Sequence, residues 1–344
     1  MTCSVIGLAL NLQRWKLKKN IVIHVGYPKS GTTTLQKHFF PNVENYKFIG
    51  RFKSEEFMDR YKLISSDSFN RLVFEDYIRF DSKKIRDSIL NNDNNSFIIS
   101  EENFIAISFR EKLIKGEMVM PDFALSAKKL RDIFDADKFN VKIFFTIRRQ
   151  EDLIPSLYAQ SYAGYYAKSS KYDSFSKYFS FFESNNRNEL NKLLDYNFVV
   201  NEYMKIFGRE NVKVYLSEEF FVNPKVFYTR LIDDFGFEID FNQLDLKAKE
   251  NVRFEDGYRK TDNITLAKWL SYFKARYFPQ LKINTPRLFR KYLDRVVVKD
   301  NDSVSKTVVL DSKQKEKIRE KYLESNTKIS TSLKLPLNEY GYFN

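Results

Sequence analysis

Between Gly26 and Thr34 the chain reads GYPKSGTTT, which puts a lysine, a serine and three threonines into one short turn bounded by glycines. Gly26 and Gly31 have the separation of the phosphate-binding pattern G-x-x-x-x-G-K-[ST], but Thr32 stands where the lysine belongs. The lysine comes three residues earlier, at Lys29. Ahead of the turn lies the apolar run IVIHVG and behind it a helical pattern. A strand, a Gly-rich turn and a helix in that order aim several backbone N–H groups and the positive end of a helix dipole at one point, so the chemistry available is anion binding. Ser30, Thr32, Thr33 and Thr34 add hydroxyl donors, Gly31 permits close approach and Lys29 brings a positive charge. In a Walker loop the lysine next to the hydroxyl reaches between the β- and γ-phosphates and the hydroxyl holds magnesium; here neither group is placed for that.

A second constellation lies in VKIFFTIRRQEDLIPSLYAQ, where Arg148 ends an apolar strand and Ser156 follows eight residues later, with Asp152 between them. An arginine fork makes bidentate, charge-assisted bonds to phosphate, and a serine near a helix start adds a hydroxyl beside a favourable dipole. Arg149 is an alternative to Arg148, since either side of a strand end can face a ligand. A third segment, SFIISEENF, sets Glu101 and Glu102 directly after a short apolar strand. The two histidines are weaker candidates. His24 lies within the first strand, where a packed, hydrogen-bonded role is expected, and His38 lies two turns into the following helix, where a structural or partly exposed one is.

A lysine ahead of the second glycine is placed for the bridging oxygen of a two-anion group such as a phosphosulfate. The string PKSGTT resembles the 5′-phosphosulfate loop of the sulfotransferase family, which uses 3′-phosphoadenosine 5′-phosphosulfate (PAPS) as sulfuryl donor. The resemblance covers 21–39 and 142–160, with weaker likeness in NVKVYLSEEF and in KYLESNTKISTSLKLPLNEYGYF. It implies that Lys29 neutralises the departing phosphate and that Arg148 and Ser156 recognise the 3′-phosphate. It also implies that Ser156 holds Lys29 back until the acceptor is bound, and that no metal is required. Where many cytosolic members carry a histidine base this chain has Glu102, with Glu101 as the alternative, which resembles bacterial and carbohydrate-acting members. The element RKGxxGDW of cytosolic small-molecule sulfotransferases is absent, and KENVRFEDGYRK stands in a comparable place. There Lys249, Asn251 and Arg253 are candidates to touch the 3′-phosphate or the adenine. The acceptor expected on this likeness is a carbohydrate or glycan. The aromatic stretch YAQSYAGYYAKSSKYDSFSKYFSFF has the side chains to stack sugar rings, although packing helices together is its more ordinary use.

These residues need a scaffold. IVIHVG, SFIIS, VKIFFTIR and NVKVYLSEEF read as strands, while SAKKLRDIFDA, NPKVFYTRLIDDFGF (with a stop at Gly236) and DSKQKEKIREKYLES (with an Asp/Ser start) read as helices. Their alternation implies an α/β fold with a P-loop-type parallel sheet flanked by helices. At 344 residues, 43% hydrophobic, with 33 Phe and 21 Tyr, the chain can bury a large core. We read one domain over 1–344, with an N-terminal extension at 1–20 and helical insertions around the acceptor at 159–210 and 255–305.

One cysteine and two histidines exclude a disulfide framework and a Cys/His zinc site. The apolar run near the N-terminus is about half the ~20 residues of a spanning helix, so a cytoplasmic protein is the default. The net charge is +13, and from Arg259 onward 19 Lys+Arg stand against 9 Asp+Glu. Two other functions fit parts of this pattern. A P-loop nucleotide kinase of unusual loop sequence predicts magnesium-dependent ATP turnover, and a basic nucleic-acid or membrane-surface protein predicts salt-sensitive binding indifferent to Lys29.

Overall fold

The computed structural model describes residues 18–50, 96–101, 104, 123–162, 166, 169–184, 189–246 and 307–343, with short stretches between 82 and 119 and between 258 and 299. Its centre is a parallel sheet of five strands, β1 (Lys19–Gly26), β2 (Lys47–Gly50), β3 (Ser96–Ser100), β4 (Phe139–Ile147) and β5 (Val212–Leu216), in spatial order β2-β3-β1-β4-β5. Every adjacent pair is parallel, with His24 opposite Ser100 on one side of β1 and opposite Phe144 on the other. A strand flanked on both edges and covered on both faces reads as a continuous apolar run, and β1 is buried from Ile21 to Gly26.

Side chains alternate across that strand and so sort two cores. Ile21, Ile23 and Val25 face one side with Ile99, Ile143 and Phe145, whereas Val22 faces the other with Ile98, Phe144 and Tyr215. Directly after β1 comes α1, whose opening turn Thr32–Thr34 is α-helical and widens into a π-type turn over Leu35–Phe39. Then follow α2 (Phe123–Ile133), α3 (Gln150–Ser161), α4 (Phe175–Ser184), α5 (Glu189–Leu194), α6 (Tyr196–Phe207), α7 (Ser217–Val222), α8 (Pro224–Phe235) and α9 (Ser312–Leu333). The first core is covered by α2, α3, α4, α6 and α9, the second by α1, α7 and α8.

The expected α/β class and the four expected strands are present, with three differences. The run NVKVYLSEEF divides after Leu216, because Ser217, Glu218 and Glu219 open a helix with acidic residues in its first turn. The helix expected over 311–325 continues to Leu333, started by a reciprocal Asp311–Gln314 capping box and stopped where Lys334 turns left-handed. Strand β2 is an addition to the expected set. As expected, α8 stops at Gly236, whose φ of 66° suits a residue without Cβ. Among the described residues no helix is long and apolar enough to cross a membrane.

Candidate active site

In a parallel sheet the strand ends and the loops that follow them gather along one edge. Here that edge collects the loop after β1, Glu101 after β3, the Arg148–Arg149 connector after β4 and Ser217–Glu218 after β5. The loop is built on its own first residue. Ser30 Oγ donates to the Tyr27 carbonyl at 2.5 Å and Thr32 Oγ1 donates to the same oxygen at 3.2 Å. These two buried hydroxyls therefore close the turn from inside, and Thr33, half-buried, sits nearer solvent. Lys29 adopts φ 64° and Gly31 φ 88°, two left-handed residues that fold the backbone back toward α1. Among the described residues the amides of Gly31, Thr32 and Thr33 find no backbone acceptor, whereas those of Thr34 and Leu35 return to the Gly31 carbonyl. Three amides in a row at a helix start form a cradle for an anion.

Gly26 is required by contact. A Cβ there would lie 2.4 Å from Thr32 Oγ1 and 3.2 Å from His24 Cε1, so strand and loop can close only over a bare Cα.

Arg148 crosses 119 positions of sequence to donate from its guanidinium to the Lys29 carbonyl at 2.8 Å, with its charge 5.8 Å above the Phe221 ring. The two motifs singled out in the sequence thus meet. Arg149 turns elsewhere: its guanidinium lies 2.5 Å from Asp152 and 3.6 Å from Glu151. Of the two arginines held open by the sequence, Arg148 is the one joined to the loop, and Asp152 serves Arg149. Ser156 is buried in the second turn of α3, since the helix already starts at Gln150; it is not at the helix start that its spacing suggested. The helix is anchored to α9 through Gln150 on Asn326 at 2.9 Å and Arg319 on Glu151 at 3.1 Å.

Glu101 follows the last residue of β3, beside β1, and is 3% exposed. Its amide donates to the His24 carbonyl at 3.4 Å. His24 lies beneath the loop, with Nδ1 2.8 Å from Ser100 Oγ and Nε2 3.0 Å from Thr146 Oγ1, and its ring stacks on Phe144 at 4.4 Å. Gln36 Nε2 also donates to Ser100 Oγ at 2.8 Å. Burial pushes the His24 imidazole down to about 3. It is neutral, fully coordinated and enclosed, which matches the packed role expected of it. His38 is half-buried on α1.

The buried aromatics of 158–182 form part of the first core. Tyr158 stacks on Tyr166 at 5.0 Å and meets Phe175 and Tyr178, and Phe179 and Phe182 pack beside them. They pack helices, and these rings are not free to stack a sugar. Glu102, Lys249, Asn251 and Arg253 lie outside the described residues.

Residues that the sequence did not single out also stand at this edge. Tyr27, Tyr196 and Tyr342 are buried and Glu218 is half-buried, and loss of solvent raises the pKa of each. For Glu218 the rise is opposed by the Arg149 and Glu218 amides, by the Arg148 charge and by the Tyr342 hydroxyl.

Neither a protein-family model nor a curated protein matches the sequence. Solved structures do. A sulfotransferase from Alicyclobacillus acidocaldarius aligns at TM-score 0.41 and 17% identity over 67% of this chain and 85% of that one. A mouse sulfotransferase, SULT7A1 complexed with PAP, aligns at 0.39 and 12% over 92% and 88%. The sulfotransferase domain of the Synechococcus PCC 7002 olefin synthase aligns at 0.33 and 12% over 80% and 94%. All three are sulfotransferases, the family that the loop and the Arg148–Ser156 pair of this chain resemble in sequence.

Proposed function

We propose that this chain is a PAPS-dependent sulfotransferase. One observation carries the reading: Arg148, the residue predicted to take the 3′-phosphate, is hydrogen-bonded to the backbone of Lys29, the residue predicted to take the 5′-phosphosulfate. A kinase loop does not call for that partner. The residues present fit the donor. The open amides of Gly31, Thr32 and Thr33 suit the 5′ anion, and Arg148 with Ser156 suits the 3′-phosphate. Lys29, half-buried on a left-handed turn, is the charge for the departing phosphate.

PAPS supplies the SO₃ group and a phosphate leaving group that keeps the electron pair of the broken S–O bond. The chain must take the acceptor proton, and Glu102 with Glu101 as alternative is assigned that role. Glu101 is 3% exposed directly after the apolar strand β3, at the loop edge of the sheet. We assign a carbohydrate or glycan acceptor, on the likeness of SFIISEENF to carbohydrate-acting members, and a cytoplasmic enzyme of bacterial type.

Calorimetric titration with 3′-phosphoadenosine 5′-phosphate (PAP) tests the donor site. Lys29→Ala and Arg148→Ala are each expected to weaken binding by about 10- to 100-fold, the range for one charged hydrogen-bonding partner. Absence of PAP binding by the wild-type chain, or magnesium-dependent ATP turnover, rejects the proposal. With labelled donor and a panel of glycans, Glu102→Gln should nearly abolish transfer and keep PAP binding. Full transfer in that variant moves the base to Glu101.

A further inference from the structure

Two residues connect β4 to α3, and the peptide unit between them belongs to neither ladder. Strand hydrogen bonds end at Ile147 and the helix begins at Gln150, so the carbonyl of Arg148 and the amide of Arg149 need partners from elsewhere. Both find side chains from other elements. The Tyr196 hydroxyl, at the start of α6, donates to the Arg148 carbonyl, and a Glu218 carboxylate oxygen, in the first turn of α7, accepts the Arg149 amide at 2.9 Å. The other Glu218 oxygen accepts the Tyr342 hydroxyl at 3.0 Å, from a segment 124 residues away. Tyr196 in turn packs edge-on against Tyr27 at 5.0 Å, the loop residue whose carbonyl gathers Ser30 and Thr32.

We infer that Glu218, Tyr196 and Tyr342 form a positioning clamp that fixes the plane of the Arg148–Arg149 peptide and so decides which arginine faces the donor. Holding one peptide at both its C=O and its N–H sets ψ of the residue before it and φ of the residue after it. Those two angles send Arg148 to the Lys29 carbonyl and Arg149 to Asp152. The role is geometric. A carboxylate near a phosphate-binding arginine repels the ligand, so Glu218 is useful there as a rigid double acceptor, tied on both oxygens. The clamp rests on the sulfotransferase reading, in which Arg148 reads the 3′-phosphate.

The test compares two ligands in each variant: PAP, which carries the 3′-phosphate, and adenosine 5′-phosphosulfate, which lacks it. Glu218→Ala is expected to weaken PAP at least about tenfold and Tyr196→Phe about fivefold, with adenosine 5′-phosphosulfate changed less than about twofold in both. Glu218→Gln keeps an oxygen for the Arg149 amide and should recover PAP binding to within about threefold of wild type. Should Glu218→Ala fail to fold, Tyr196→Phe and Tyr342→Phe, which remove one hydroxyl each, carry the same comparison. Equal losses for the two ligands would mean general structural damage and overturn the clamp, as would unchanged PAP binding in the alanine and phenylalanine variants. Failure of the wild-type chain to bind PAP is a different result: it removes the proposed function, and the clamp with it.

Discussion

His24 is the buried titratable group whose environment makes the most quantitative demand. It is enclosed between β3 and β4, bonded through both ring nitrogens to hydroxyls, and stacked on Phe144. A neutral imidazole is one donor and one acceptor, and hydroxyls can serve either tautomer; an imidazolium would have to be created with little water to solvate it. Burial accordingly lowers its pKa from 6.5 to about 3. The unfolded chain takes up the proton near pH 6.5 and the folded chain resists until about 3. The stability from keeping His24 neutral is therefore complete above pH 6.5 and is lost as pH falls through that window. At ~1.4 kcal/mol per pKa unit the whole window is worth ~5 kcal/mol, and within it the slope is ~1.4 kcal/mol per pH unit.

The measurement is denaturant unfolding of wild type and His24→Asn at pH 7, 6, 5 and 4.5. Asparagine removes the titrating group and most of the ring packing. At pH 7 the variant should be less stable by about 2–4 kcal/mol, an offset of cavity type that does not depend on pH. As pH falls from 6 to 4.5 that gap should close by about 2 kcal/mol, because only the wild type loses stability through His24. Glu218 works in the opposite direction: its raised folded pKa favours the folded state as pH falls through its range, but it is common to both proteins and cancels in the difference. A gap that stays constant from pH 6 to 4.5 refutes the reasoning, since the folded imidazole would then take up its proton like the unfolded one.

Two further substitutions test the scaffold of the site. Gly26→Ala forces a Cβ to within 2.4 Å of Thr32 Oγ1, so the Thr32 bond to Tyr27 must break; about 1–3 kcal/mol of lost stability and at least tenfold weaker PAP binding are expected, from thermal unfolding and calorimetry. Asp311→Ala removes the capping box of α9 and should cost about 1 kcal/mol of stability while PAP affinity stays within about twofold, since among the described residues Asp311 bonds only within its own helix start.

The fold was legible where local rules decide it. Ile21 to Gly26 and Ser96 to Ser100 are strands because an uninterrupted apolar run in a central parallel sheet has no other place to go. Arg148 was legible for another reason: the proposed donor carries an anion at each end, and such a ligand calls for two spaced motifs on the chain. At Leu216 the local reading failed. YLSEEFF carries an apolar pattern that strand and helix share, and only the acidic first turn of α7 separates them.

Glu218, Tyr196 and Tyr342 were illegible on stronger grounds. No ligand dictates their spacing; each reaches its partner because packing brings it there, across 69 positions for Glu218 on Arg149, 48 for Tyr196 on Arg148 and 124 for Tyr342 on Glu218. Any sequence separation would serve as well, provided the helices pack the same way. Groups that touch a ligand inherit a pattern from the ligand, whereas groups that hold those groups inherit theirs from the fold. In this site the division falls within a single peptide unit, with Arg148 found by motif and the clamp on its carbonyl found only by the geometry around it.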